Sequence, residues 1–144
     1  MKKQAPLSVA NIEQARKRID PVFLNSPLLH SERHGLSLFA KDETDNPIRS
    51  FKGRGTGYLL ADFPDADEPL VTASAGNFGQ GLAYNARRSG RPLVVFSSLN
   101  ANPLKLDAMR KFGAEVVLAG EDFDAAKEAA RTHAAERNLR FIED

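Results

Sequence analysis

From residue 70 to residue 142 the sequence alternates short, continuously apolar runs with segments of helical length, and that alternation most restricts the fold. Leu70–Ala73 reads as a strand, residues 78–88 as a helix stopped by Gly90, and residues 92–97 as a second strand rich in Val and Phe. Asn102 and Pro103 open a further helix, with Leu104, Ala108, Met109 and Phe112 on its apolar side and Gly113 as its stop. A strand over 115–119, an alanine-rich helix over 122–137 with Phe123, Ala126, Ala130 and Ala134 along one face, and a strand over 139–142 complete a β-α-β-α-β-α-β order. Strands apolar on both faces and joined by short connections predict an α/β fold with an open parallel sheet flanked by helices. Ligands of such sheets sit at the carboxyl ends of the strands.

Ahead of this block the pattern is less regular. Ser8 is placed to cap a helix carrying Val9, Ile12, Ala15 and Ile19, which Pro21 ends. Leu36–Lys41 reads as a strand running into the polar turn from Asp42 to Pro47. Ser50 is placed to cap a helix over 51–61, although Gly53, Gly55 and Gly57 each weaken it by about 1 kcal/mol relative to Ala. Close approach of backbone to a ligand or a neighbouring helix is the expected reason for those glycines. Residues 63–68, Phe-Pro-Asp-Ala-Asp-Glu, read as a linker.

Two motifs carry chemistry. Ser50-Phe51-Lys52-Gly53-Arg54-Gly55 places an amine among small residues, and Ser74-Ala75-Gly76-Asn77-Phe78-Gly79-Gln80-Gly81 joins a strand to a helix. The second presents free backbone N–H groups and a helix N-terminus to an anion, a carboxylate or a phosphate. Together they describe a lysine that condenses with an aldehyde cofactor beside an anion cradle; the alternative is a surface lysine in a glycine-rich loop. Such an amine must be neutral to attack, and burial or a nearby cation such as Arg54 is expected to favour that form. The glycine spacing is G-x-x-G-x-G, so it does not fit the dinucleotide fingerprint, and Gly53–Gly57 matches no phosphate loop ending in Gly-Lys-Ser/Thr. His30, His34 and His133 lack metal-ligand spacing, so surface or cap roles and no metal are expected.

Composition narrows the partners. The 144 residues carry 20 Lys and Arg against 19 Asp and Glu, a net charge of +1 that gives no reason to expect nucleic acid or a membrane surface. Cysteine is absent, which removes disulfides, thiolate ligands and a cysteine nucleophile. No signal-peptide pattern is visible, and the longest apolar runs are strand-sized, so a soluble, cytoplasmic protein is expected.

Ser50-Phe51-Lys52 with Arg54-Gly55, Ser74-Ala75-Gly76-Asn77 with Gln80-Gly81, and Lys105, Arg110 and Gly113-Ala114-Glu115-Val116-Val117-Leu118 occur in an order that resembles the threonine dehydratase and serine racemase group of fold type II pyridoxal-phosphate enzymes. Pro27-Leu28 and Lys41-Asp42-Glu43 extend the resemblance over essentially the whole chain. It implies a pyridoxal 5'-phosphate cofactor in Schiff-base linkage with the catalytic Lys52, Phe51 beside the pyridine ring and Asn77 bonding the ring hydroxyl. It further implies a small-molecule amino acid substrate held by Ser50, Ser74, Ala75, Gly76, Asn77 and Gln80. The implied reaction is β-elimination and deamination of a hydroxy amino acid such as threonine or serine, with racemase and threonine-synthase-like members as alternatives. Phe78-Gly79 departs from the His-Ala of typical dehydratases in this group.

The resemblance also divides the chain. Residues 69–144 resemble a complete small domain, 63–68 a linker, and 1–62 the opening elements of a second, larger α/β domain. The tetraglycine phosphate loop and the residue contacting the pyridine nitrogen are expected beyond Asp144, which makes this an N-terminal portion. A complementing C-terminal half or a homo-oligomer is the implied partner, and the isolated chain is expected to bind cofactor poorly. The reading from another class is a truncated, non-catalytic α/β module.

Overall fold

The computed structural model describes residues 7–63 and 67–144. Four parallel strands, β3 (Leu70–Ala73), β4 (Leu93–Ser97), β5 (Glu115–Leu118) and β6 (Arg140–Ile142), form one sheet in the order β5-β4-β3-β6. Helices α3 (Asn77–Arg88), α4 (Pro103–Lys111) and α5 (Phe123–Glu136) connect them, as the alternation predicts. The side-chain period of two divides the strands between two cores. Leu70, Val95 and Ile142 pack with Leu82, Ala86 and Met109 of α3 and α4; Val71, Ala73 and Phe96 pack with Ala130 and Ala134 of α5. Both faces are covered, so β3 is buried along its whole length.

Two predicted faces are corrected. Leu104 is exposed, and Leu106 with Met109 holds α4 to the core. Phe123 is also largely exposed, leaving the stripe Ala126, Ala130 and Ala134 as the buried side of α5. Alanines permit a close helix-to-sheet approach that a phenylalanine at the helix start cannot share. Asn102 and Asp122 cap their helices through the N–H of Leu104 and Ala125.

The first third forms helix α1 (Val9–Arg16), a 3₁₀ turn at Pro21–Phe23, a hairpin of β1 (Leu28–Arg33) and β2 (Leu36–Lys41), and helix α2 (Lys52–Ala61). Ser8 caps α1 as expected, but no residue of α1 is buried, and Ile19 lies beyond its end. β1 was not anticipated. It pairs with β2 across His34 and Gly35, both at positive φ, the geometry of a two-residue hairpin turn. Leu28, Leu29, Leu36, Leu38 and Phe39 stay exposed, so no half-buried alternation marks the ribbon. Ser50 accepts a hydrogen bond from the Lys52 N–H, while the capping position itself belongs to Phe51, one residue later than expected. Pro64, Asp65 and Ala66 of the expected linker lie outside the described residues.

Helix α2 lies against α3, and packing requires a glycine at some positions along this contact and not at others. A methyl at Gly53 would enter the ring of Phe23, a fully buried side chain. A methyl at Gly81 of α3 would sit 2.8 Å from Thr56 Oγ1. Around Gly55 nothing lies within 4 Å, so close approach does not account for it. The buried Asn85 locks the pair: its Nδ2 donates to the Gly53 carbonyl at 3.1 Å, Thr56 Oγ1 at 3.0 Å and the Gly81 carbonyl at 2.9 Å.

Gly53→Ala is therefore expected to destabilise the chain by about 1–3 kcal/mol through overpacking. Gly55→Ala is expected to stabilise it by roughly 0.5–1 kcal/mol through propensity and unfolded-state entropy. Urea unfolding midpoints of the two variants, shifted in opposite directions, check this.

Candidate active site

Lys52 opens α2, and the loop before it is fixed from several sides. The buried Asn46 accepts from the N–H groups of Ile48 and Ser50 at 3.2 Å each and donates to the Glu43 carbonyl at 2.9 Å. Arg54 grips Glu43 in bidentate fashion, Nη2 to Oε1 at 2.8 Å and Nη1 to Oε2 at 3.0 Å, and also donates to the Phe23 carbonyl. Arg54 thus anchors the loop and is not the expected cationic neighbour of the amine. Between these anchors Arg49 adopts a left-handed φ of 50°, a conformation that a branched, non-glycine residue holds only when its surroundings impose it.

The Lys52 ammonium donates to Asp144 Oδ1 at 2.7 Å and lies 5.5 Å from the centroid of the Phe78 ring. Phe78 is nearly buried and belongs to the core shared by α3 and β3, so it forms a floor that cannot easily move. The amine is brought in this way to the turn between β3 and α3, at the carboxyl edge of the sheet.

That turn is built around Ser74. Its buried hydroxyl accepts from the N–H of Gly79 at 2.9 Å and of Gly76 at 3.3 Å. The N–H groups of Asn77 and Phe78, at the helix start, have no acceptor among the described residues. Gly76 has open space where a Cβ would stand. At Gly79 the reverse holds: a methyl would meet Met109 Cε at 2.7 Å and Ser74 Cβ at 2.9 Å. Met109 fills the volume an alanine would need, a physical reason for the departure at that position.

The expected residues separate into two sets. Lys52, Ser74, Ala75, Gly76 and Asn77 surround the turn, and Ser50 supports the Lys52 backbone. Gln80 is buried with Nε2 unpartnered among the described residues. Phe51 is 58% exposed and makes no ring contact among the described residues. Sequence reasoning missed Phe78 as the floor under the amine, Met109 behind Gly79 and Asp144 as the amine's partner. The bond from Lys105 Nζ to Asn77 Oδ1, at 2.6 Å, was equally unseen, although Lys105 stood in the motif.

Residues 19–144 match the family of pyridoxal-phosphate dependent enzymes, and the chain belongs to it. It is 39% identical over 114 residues to the biosynthetic L-threonine dehydratase of Pasteurella multocida, covering 78% of this chain and 22% of that protein. It is 35% identical over 137 residues to the L-threonine ammonia-lyase of Geobacter sulfurreducens, covering 91% and 34%. Among solved structures, a pyridoxal 5'-phosphate-dependent aspartate racemase superposes with a TM-score of 0.80 at 28% identity, over 97% of this chain and 46% of that one. Threonine deaminase isoform 2 of Solanum lycopersicum superposes with a TM-score of 0.78 at 29% identity, over 97% and 44%. The chain thus spans less than half the length of each of these relatives. No helix among the described residues is long and apolar enough to cross a membrane.

The turn fits parts of the cofactor this family uses. An amine is present for its aldehyde and an amide donor for its ring hydroxyl, while the free N–H groups beside open space suit a carboxylate, which the cofactor itself lacks. None of the described residues is assigned to its phosphate.

Hydrogen bonds from Arg54 hold the Glu43 carboxyl below the usual carboxylate range. A depressed folded-state value stabilises the fold at pH above the ordinary glutamate range and loses that contribution as pH falls through the lowered value. Stability is therefore expected to drop on acidification below the ordinary glutamate range. Glu43→Gln should flatten part of that drop, leaving the share carried by Asp42 and Glu143, which Thr44 and Lys127 respectively also hold low. Thermal midpoints followed across the acid range measure it.

Proposed function

We propose that the chain is the N-terminal portion of a pyridoxal-phosphate-dependent lyase that converts a hydroxy amino acid such as threonine or serine to its 2-oxo acid and ammonia. The observation that carries this reading is the placement of the Lys52 amine 5.5 Å from the ring of Phe78, at the start of the helix that also carries the Asn77 amide and two unpartnered N–H groups. The similarity to threonine dehydratases supports the substrate class. Residues 1–62 open the larger domain and 69–144 form the small one. The phosphate contacts are assigned to the part of the longer relatives' length that this chain does not match.

When bound, the cofactor withdraws electrons from the substrate Cα, which is chemistry the protein does not itself provide. Lys52 Nζ holds the cofactor aldehyde before substrate arrives. Asp144 Oδ1 accepts from Lys52 Nζ at 2.7 Å and holds the side chain at the turn. With its nitrogen free, Lys52 Nζ would take the Cα proton, so one residue would serve as anchor and as base. The N–H groups of Asn77 and Phe78 bind the substrate carboxylate with the aid of the α3 dipole, fixing which bond faces Lys52. Phe78 keeps water from the lower side of the amine, and Asn77 Nδ2 donates to the ring hydroxyl.

Incubation with excess pyridoxal phosphate, borohydride reduction and peptide mapping test the assignment. The expected outcome is an adduct concentrated on Lys52 and lost in Lys52→Ala. Label spread over other lysines, or undiminished in that variant, contradicts it.

A further inference from the structure

Asn77 has a side-chain amide whose two ends offer opposite chemistry, and one end is already committed. Lys105 Nζ donates to Asn77 Oδ1 at 2.6 Å, tying the first turn of α4 to the first turn of α3. An ammonium carries three donors and no acceptor. The amide therefore cannot flip without setting its NH2 group against the ammonium, and Nδ2 must point away from Lys105. Among the described residues Nδ2 has no acceptor.

The placement of Lys105 is not explained by its own helix. It is the third residue of α4, and a cation in a first turn is opposed by the helix dipole. Neither α3 nor α4 carries an acidic residue in its first turn to offset the charge. A half-buried ammonium thus stands beside two helix N-termini, in contact with one neutral amide. The arrangement adds a positive charge to a turn that also holds the Lys52–Asp144 ion pair, and it leaves the Asn77 Nδ2 donor free there.

We propose that Lys105 is a positioning residue: it locks Asn77 so that the site presents a donor, and its charge makes that donor select an ionised oxygen. Resting on the cofactor reading above, this means that the ring hydroxyl is held as its anion. Lys105 acts through Asn77 and touches no reacting atom.

The test uses Lys105→Met, which removes charge and donors, and Lys105→Arg, which keeps both. In the cofactor-free chain the Asn77 side-chain amide is followed by ¹H–¹⁵N NMR and assigned by its loss in Asn77→Ala. Wild type and Lys105→Arg are expected to show a matching pair of proton shifts with a high ¹H–¹⁵N NOE, and Lys105→Met a shifted pair with a lower NOE, as an amide released to turn about χ2 requires. With pyridoxal phosphate added, Lys105→Met is expected to bind roughly tenfold more weakly, as loss of a charge-assisted bond predicts. The pH at which the bound chromophore's absorbance changes should also move upward, with Lys105→Arg restoring both properties. An Asn77 signal that is the same in wild type and Lys105→Met overturns the inference, as does an unchanged chromophore titration. Peptide mapping of the Lys52 adduct decides the cofactor reading separately: label at Lys52 with an indifferent Lys105→Met sinks only the role of Lys105. Label elsewhere, with the Asn77 signal shifted and its NOE lowered in Lys105→Met, sinks the cofactor reading and leaves the Lys105 lock standing.

Discussion

The seam between α2 and α3 is where the structure depends on single atoms. Gly81 lets the helices approach until Thr56 fills the space a side chain would take, and Asn85 then bridges both backbones, its two Nδ2 protons shared among three acceptors. A buried amide in such a seam contributes when every partner is in place and is costly when one is missing, so it fixes register as well as stability. The register matters because Lys52 is the first residue of α2 and Asn77 the first of α3. Sliding the helices by one turn would move the amine about 5 Å from the anion-binding turn.

Other contacts serve the same end. The bidentate Arg54–Glu43 pair and the Asn46 network hold the loop that delivers Lys52. The hydroxyl of Ser74 rolls up the turn that follows β3, and Met109 closes the volume behind Gly79. Lys105 fixes the face that Asn77 turns to the site. The Asn46 and Ser74 contacts are local and shape the two loops, whereas Met109 and Lys105 join α4 to the start of α3.

The sheet block was legible because its strands are apolar on both faces and its helices carry caps that local rules recognise, Asn102 and Asp122 among them. Its errors, Leu104 and Phe123, lie in first turns, where a helix projects past the core and an apolar residue has nothing to pack on. Hairpin strand β1 was illegible for a related reason, since neither face of the ribbon is buried and no alternation records a core. The motif around Lys52 and the turn from Ser74 to Gly81 could be found from residue types and spacing. Phe78 under the amine, Asp144 beside it and Lys105 behind Asn77 could not, because tertiary packing alone brings them there. Glycine selection was legible as a question only: the sequence poses Gly53 and Gly55 alike, and the ring of Phe23 separates them.

Because the chain has no cysteine, the seam can be probed without background. Thr56→Cys combined with Gly81→Cys places two thiols where a methyl at position 81 would stand 2.8 Å from the position-56 hydroxyl, within the reach of a disulfide. Mild oxidation followed by mass spectrometry is predicted to show an intramolecular disulfide between these two positions. Thiols that remain free to alkylation under those conditions would contradict the α2–α3 contact and, with it, the placement of Lys52 at the turn.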